Sequence, residues 1–433
     1  MLPKIHLPGL SQAGFEDAFA VLEECRVDKV PVLGFTRPFF APGGAYGNCW
    51  WNIDSALALL GYRWKDRAFA ENSLRNFFDI QKQDGRIPLW GYDHVDPYNE
   101  EISSLPKVFE VAHRLAAESD DEAFVRSCYT LLERYLGWWL RFRRDEKTGL
   151  VSAVFEETFV PWLHKSGERA AVDTNVEMVI GARCAASLAR RLGEKDSAAR
   201  FEALAEEFTA AVNRWMWNEE KGAYYPLRLD TGRQEDFLMA SAFLPLREGI
   251  APKDRAARLV SLLTGDQFGW DTYPVRSVAA SDPRFTVSEG PYQGNPSWSG
   301  SVWTLLNDGI VEGLKDSGYT ELAGALALRT AEEFHGKYFE FLQPFNGSGH
   351  GVVRYAWTAS QYIRLILEVI FGIEADAQTK TVRVKPVLCD RLRRGRWSAE
   401  EVALPGGGSI SVYIENGKVS ARTEKTDYVL RLE

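Results

Sequence analysis

The chain has 433 residues, 45% of them apolar and 26% charged, which is the balance of a globular protein and excludes a disordered or collagenous one. Its 51 Lys and Arg stand against 60 Asp and Glu, a formal net charge of -9, and no cluster of five basic residues occurs, so nucleic acid and anionic membrane are not expected as partners. No apolar stretch approaches the roughly 20 residues that cross a bilayer, and the N-terminal segment MLPKIHLPGLSQ lacks a basic stretch followed by an apolar core, so the expectation is a cytoplasmic enzyme or binding protein.

The five cysteines, Cys25, Cys49, Cys128, Cys184 and Cys389, are odd in number and widely spaced, and read as buried thiols of a reducing compartment. The six histidines fit no zinc spacing, so no metal site and no cofactor is expected. Aromatic residues are abundant, with 14 Trp, 16 Tyr and 24 Phe. Rings build cores as readily as they stack on sugars, so the surplus alone does not decide between the two.

In chain order, periodicity predicts amphipathic helices near 12–26, 51–62, 66–82, 103–118, 121–144, 173–192, 195–217, 235–246, 252–264, 299–316, 320–338 and 357–371. Ser119 to Glu122 and Thr174 to Glu177 fit capping boxes, Pro252 suits a first turn, and Gly193 and Gly318 suit C-terminal caps. No fixed-period repeat is present. Short links join antiparallel helix pairs, whereas long links at Asp84–Glu101, Thr148–Val172, Gly265–Trp298 and Phe339–Tyr355 are rich in Trp, Tyr, Gly, Pro and carboxylates. Long ordered links in a helical body are usually functional, and these are expected to share one end of the structure and form a pocket. After Gly372 the pattern changes to period two, with Asn416-Gly417 as a hairpin turn. The chain therefore divides into a helical body, residues 1–372, and a small antiparallel β-domain, residues 373–433.

Within the long links, Phe155-Glu156-Glu157-Thr158-Phe159 sets two carboxylates among aromatic neighbours, where lost hydration raises a pKa. Glu340 stands alone before a glycine-rich turn, NGSGHG, that lets backbone approach a ligand closely and fits no phosphate loop. Trp50, Trp51 and Asp54 fall at a helix start. The segments GYDHVDPYNEE and GPYQGNPSWSGSVW are dense in groups that bond hydroxyls or stack on a pyranose. Each has a core or surface alternative; their recurrence in one class of link favours a sugar site.

The order of these motifs resembles the six-hairpin (α/α)6 glycosidases, most closely glycoside hydrolase family 63 and its mannosylglycerate and glucosylglycerate hydrolase branch, with trehalases more distant. The residues that carry the resemblance are NIDSALALLGY (Asp54, Ser55), QKQDGRIP (Gln81 to Pro88), YYPLRLDTGR with ASAFLPLREGIAP, YPVRSVAASDPRFT with YQGNPSWSGSVWTLLNDGIVEGL, and YFEFLQPFNGSGHGVVRYAWTAS. The last is similar to the segment that supplies the family's general base, which implies that role for Glu340. Ile53 replaces a tryptophan usual in the family. Where the family acid is an Asp in a Glu-Ser-Gly-x-Asp-Asn-Ser type of stretch, this chain has FEETFVP. An aromatic followed by a Glu pair is similar instead to the acid segment of family 15 glucoamylases, which implies Glu156 as acid with Glu157 touching substrate; the reverse assignment stays open. The tail after FGIEAD resembles the β-domain that closes family 78 rhamnosidases.

The resemblance implies an all-α (α/α)6 barrel with a C-terminal β-domain and an inverting, exo-acting α-glycosidase working on a small glycoside or oligosaccharide. Inversion calls for two carboxyls about 6.5 to 9.5 Å apart, one protonated and one ionised. Substrate-binding positions implied are Trp51, Trp90, Tyr292, Trp298 and Trp303 for stacking, with Asp54, Arg86, Asp173 and Asn175 on hydroxyls. An anionic aglycone would need Arg86, Lys165, Arg169 or Arg354. Another sugar-active enzyme of the same fold (rhamnosidase, phosphorylase or epimerase) and a non-catalytic carbohydrate-binding protein are the alternatives.

Overall fold

The computed structural model describes residues 2–28, 35–92, 101–160, 168–287 and 298–433. Among these residues stand eleven α-helices: α1 (Gln12–Cys25), α2 (Asn52–Tyr62), α3 (Arg67–Ile80), α4 (Val108–Ala117), α5 (Glu122–Phe142), α6 (Val172–Arg191), α7 (Lys195–Trp215), α8 (Lys253–Leu263), α9 (Thr304–Asp316), α10 (Thr320–Phe334) and α11 (Ala356–Arg364). Burial sorts them into two kinds. α2 and α11 are buried at every position, and α6 and α9 nearly so, whereas α3, α5, α7 and α8 bury a stripe and leave the other face to water. An apolar surface all round belongs inside and a single stripe belongs outside. The inner neighbours run α2, α4, α6, a 3₁₀ segment at Ala240–Gly249, α9 and α11, and α11 packs back on α2. α3, α5, α7, α8, α10 and α1 lie against them from outside.

The closeness of α2 to α11 depends on Gly61, since a Cβ there would lie 2.5 Å from the Cα of Ser360. The Ser360 hydroxyl donates to the Leu57 carbonyl and accepts from the Gly61 N–H, pinning the crossing.

Four local expectations are corrected by the structure. The helix expected at 235–246 is instead the 3₁₀ segment Ala240–Gly249, which contains Pro245 and breaks helical geometry at Arg247 and Glu248; proline removes a donor and crowds the preceding turn. α4 begins at Val108 rather than near 103 because Pro106 biases Leu105 toward extended backbone. α9 begins at Thr304 rather than 299, because Val302 exchanges backbone hydrogen bonds with Leu342 at 2.9 and 3.0 Å. Neither capping box forms: Asp121 caps α5 through the N–H groups of Ala123 and Phe124, and the Thr174 hydroxyl donates instead to the Glu157 carbonyl. Gly193 and Gly318 do follow α6 and α9 with φ of 78° and 84°, as C-terminal caps require.

Beyond a π-helical turn at Leu365–Ile370 the chain forms two sheets. Strands Ile373–Asp376, Thr381–Val384 and Val429–Leu432 make one, and Arg396–Ala403, Ser409–Glu415 and Lys418–Glu424 make most of the other; Thr381–Val384 runs parallel to Val429–Leu432, so the expected antiparallel β-domain is corrected to a mixed one. Asn416 and Gly417 turn the last hairpin at positive φ. The fourth strand of the second sheet is Lys4–His6, with Lys4 opposite Glu400, so the β-layer takes in residues from the opposite end of the sequence as well as 373–433.

Candidate active site

The starts of four inner helices surround one cleft. Asp54 lies in the first turn of α2, Thr158 and Phe159 are held against the first turn of α6, Trp303 precedes α9, and Tyr355 and Trp357 open α11. Three of these helices begin alike, with an aromatic residue in extended conformation (Trp51, Trp303 or Tyr355) at the N-cap position. The cleft is lined by Tyr46, Trp51, Asp54, Glu156, Trp298 and Glu340, together with Trp303, Tyr355 and Trp357. Helix N-termini favour negative charge, and three carboxyls meet here.

Glu340 is 5% exposed and Asp54 3%, while Glu156 is half-buried. Burial and the neighbouring carboxyls of Asp54 and Glu340 push the Glu156 carboxyl up to about 8. Burial likewise raises Glu340 to about 8, opposed by the backbone N–H of Val352, with Asp54 adding to the rise. Burial takes Asp54 to about 7 against the hydroxyl of Tyr355. The two glutamates carry the same value, in which the Val352 hydrogen bond of Glu340 is already included, and they differ in their partners. The Val352 N–H donates to Glu340 at 3.2 Å and favours its ionised form. Glu156 has no such backbone donor among the causes of its shift and lies beside Phe155.

Glu340 is presented by the hairpin Phe341–Leu342 with Gly349–His350. Gly351, at φ +73°, passes so close that a Cβ would stand 2.9 Å from the Glu340 carboxyl oxygen. Glu156 itself adopts φ 66°, a left-handed conformation that a non-glycine residue holds only under constraint.

Around the carboxyls runs a chain of ring contacts. Trp90 stacks on Trp51 at 5.3 Å, Trp51 meets Tyr46 at 6.1 Å, and Tyr46 meets Tyr355 at 6.3 Å. Tyr355 continues to Trp357 at 4.8 Å, Trp357 to Trp303 at 6.2 Å, and Trp303 to Trp298 at 5.2 Å. The indole nitrogens of Trp51, Trp303 and Trp357 and one oxygen of Asp54 are buried without a hydrogen-bond partner among the described residues. Flat apolar faces edged by unsatisfied donors and acceptors match a pyranose, which offers C–H faces and hydroxyls.

Of the positions expected from sequence, Glu156, Glu340, Trp51, Asp54, Trp298 and Trp303 come together in the cleft. Trp90 lies behind Trp51. Tyr292 and Lys165 are outside the described residues. Glu157 faces away: its carboxylate is fully buried, paired with Arg143 at 2.8 and 2.9 Å, and accepts the N–H groups of Ser103 and Val154. Its expected contact with substrate is corrected by this arrangement. Arg86, Asp173 and Asn175 are also corrected: Arg86 is buried and donates to the Ile102 carbonyl, Asp173 accepts from Thr158, Phe159 and Thr174, and Asn175 bonds the backbone of Val151. They shape the wall without lining the cleft. Arg169 pairs with Glu235 and Arg354 with Asp17 and Glu24.

Tyr46, Tyr355 and Trp357 were not foreseen. A signal was present for Tyr355 alone, in the repeated pattern of an aromatic residue immediately before a small or polar helix start, seen at Trp51-Asn52, Trp303-Thr304 and Tyr355-Ala356. Among the described residues no group of His, Cys, Asp and Glu side chains is arranged to hold a metal ion. A larger cavity, about 820 Å³, lies among Glu110, Arg114, Arg247, Glu312 and Arg364 toward the C-terminal ends of the inner helices. Its charged walls are largely paired with one another, and it contains none of the three raised carboxyls.

Buried carboxyls that compete for protons beneath stacked indoles are suited to cleaving a bond between sugar and oxygen, and the class so defined is that of the glycoside hydrolases. The chain belongs to the family described as the mannosylglycerate hydrolase MGH1-like glycoside hydrolase domain, which matches residues 47–162 and 156–358. A mannosylglycerate hydrolase of Rubrobacter radiotolerans is 30% identical over 187 residues, covering 42% of this chain and 40% of that protein. The matched stretch thus spans less than half of that relative. A family 63 mannosylglycerate hydrolase from Thermus thermophilus, solved with Tris and D-glycerate, superposes with a TM-score of 0.67 at 20% identity, covering 81% of this chain and 99% of that one. A family 78 rhamnosidase of Bacillus sp. GL1 superposes with a TM-score of 0.73 at 18% identity, covering 100% of this chain and 42% of that one. No helix among the described residues is long and apolar enough to cross a membrane.

Proposed function

We propose that the protein is an inverting, exo-acting α-glycosidase built on an (α/α)6 toroid, with Glu156 as general acid and Glu340 as general base. The observation that carries this reading is the meeting of Glu156 and Glu340 in one aromatic-lined cleft, where neighbouring carboxyls and burial hold protons at neutral pH. The sugar stacks on Trp51 and Trp298, and Asp54 accepts its hydroxyls. Glu156 gives its proton to the leaving oxygen as the anomeric bond breaks. Glu340, ionised with the help of the Val352 N–H, takes a proton from water as that water attacks the opposite face. Each turnover consumes one water and leaves Glu156 ionised and Glu340 protonated; Glu340 releases its proton to solvent and Glu156 takes one up, which restores both.

The relatives make glycerate glycosides of mannose and glucose the first substrates to try, with α-linked disaccharides and α-L-rhamnosides beside them. Glu340→Gln should abolish hydrolysis of the substrate identified and leave its binding intact by calorimetry, since shape is kept and only the base is lost. Near wild-type turnover in that variant would end the assignment. Proton NMR of the first-formed anomer tests inversion: the anomer opposite to the substrate's must appear before mutarotation, and a retained anomer rules the mechanism out.

A further inference from the structure

We propose that the Arg143–Glu157 ion pair is the positioning device of the proton donor, fixing the turn that aims Glu156 into the cleft without itself touching sugar. The inference rests on the reading of Glu156 as the acid and deepens it.

Glu156 holds a left-handed φ of 66°, a conformation that a side-chain-bearing residue keeps only where neighbours over-determine the backbone. Those neighbours converge on the next residue. The Glu157 N–H donates to the Val154 carbonyl at 3.0 Å and closes the turn. Its carboxylate then accepts four bonds: from Ser103 N at 3.0 Å, Val154 N at 3.1 Å, Arg143 Nε at 2.9 Å and Arg143 Nη2 at 2.8 Å. The carbonyls on either side are also taken, Glu156 O by the Leu105 N–H and Glu157 O by the Thr174 hydroxyl, both at 2.8 Å.

The Glu156–Glu157 turn, through the carboxylate and the two carbonyls, thus ties together three parts of the chain. Ser103 and Leu105 precede α4, Arg143 stands at the end of α5 with its guanidinium over the Trp138 ring, and Thr174 lies in the first turn of α6. A planar guanidinium meeting both oxygens fixes direction as well as distance, which an ammonium does not. Glu157 is 0% exposed, so this geometry is not diluted by water. Turned into the cleft, the Glu156 side chain shares it with the carboxyls of Asp54 and Glu340.

The test uses the full chain carrying Arg143→Lys or Glu157→Gln, the first being the milder should the second fail to fold. Carbon-13 NMR of labelled glutamate carboxyls, with Glu156 assigned through Glu156→Gln, reads the aim of the side chain directly. Glu156 titrates near 8 in the parent and should fall by at least about one pH unit in either variant as the relaxed turn lets water in. Turnover of mannosylglycerate, or its glucosyl counterpart, should drop about ten-fold or more with KM unchanged, whereas the α-glycosyl fluoride, whose leaving group needs no proton, should lose less than about three-fold.

An unchanged Glu156 titration, or equal losses on both leaving groups, overturns the proposal and leaves the pair as a stabilising contact only. The titration decides even if neither sugar is turned over. If Glu156→Gln itself hydrolyses mannosylglycerate at the parental rate, the acid assignment has failed. If that variant is inactive while Arg143→Lys behaves as the parent, only the positioning role has failed.

Discussion

Asp54, Glu156 and Glu340 impose a thermodynamic penalty that their removal should reveal. An unfolded glutamate titrates near 4.5, whereas Glu156 and Glu340 titrate near 8 in the folded protein. The unfolded chain therefore loses these protons first, and stability falls as pH rises from about 4.5 through 8. Glu156→Gln and Glu340→Gln do not titrate, so each should gain on the parent as pH rises from 4 to 8.5, by up to about 4 to 5 kcal/mol. Urea denaturation at the two pH values measures the difference; a variant destabilised equally at both would contradict the assignment of strain to these carboxyls. The same protons govern rate. With one group needed protonated and another ionised, and all three titrating near 7 to 8, kcat/KM should follow a narrow bell centred in that range rather than a plateau from pH 4 to 10.

At the level of the element, the hairpin that carries Glu340 works because Gly351 has no side chain. Gly351→Ala would set a methyl 2.8 Å from the Phe341 ring and 2.9 Å from the Glu340 carboxyl at a φ of +73°. It should cost about 1 to 2 kcal/mol of stability and a larger share of activity, ten-fold or more in kcat, since it pushes on the base. Thermal melts beside kinetics separate the two effects.

Elements were also where the sequence was most and least legible. Helices announced themselves through apolar periodicity, and the Asn416-Gly417 hairpin through its turn chemistry. Glu340 was singled out by the resemblance of its segment to a family motif, since a lone carboxylate before a glycine-rich turn is by itself as readily a surface charge. Glu157 was not distinguishable from Glu156, because which of two adjacent side chains faces a cleft depends on a positive φ and on Arg143, Ser103 and Val154, all distant or silent in the local pattern. Asp173 and Asn175 misled for a related reason: polar residues at an inner helix start serve the backbone of neighbouring loops as readily as they serve a ligand.

On the scale of the molecule, the inner helices converge on the aromatic-lined cleft at one end and on paired charges toward the other. Arg63 donates to Glu118 and Glu368 at 3.1 and 2.8 Å, all three nearly inaccessible, and Arg67 joins Glu118 at 2.8 Å. Arg63, Arg364 and Arg114 hold Glu368 down to about 2 against the penalty of burial, and Arg63 and Arg67 lower Glu118. These depressed groups add stability that is present above about pH 4.5 and lost as pH falls toward 2. Replacing Arg63 by Met should leave two buried carboxylates short of charge and cost about 3 to 5 kcal/mol at pH 7, with the deficit shrinking in acid as those carboxylates protonate. Chemical denaturation of the variant between pH 7 and 4 checks both magnitude and trend.

The strand at Lys4–His6 closes a sheet whose other members begin at Arg396. During synthesis at about 5 to 20 residues per second, that strand waits unpaired for on the order of half a minute before its partner leaves the ribosome. The helical body can condense in the interval, but the β-layer cannot, so its assembly follows that of the helices. Cutting away residues 2–10 would leave the backbone edge of Arg396–Ala403 uncovered, an invitation to pair with another molecule.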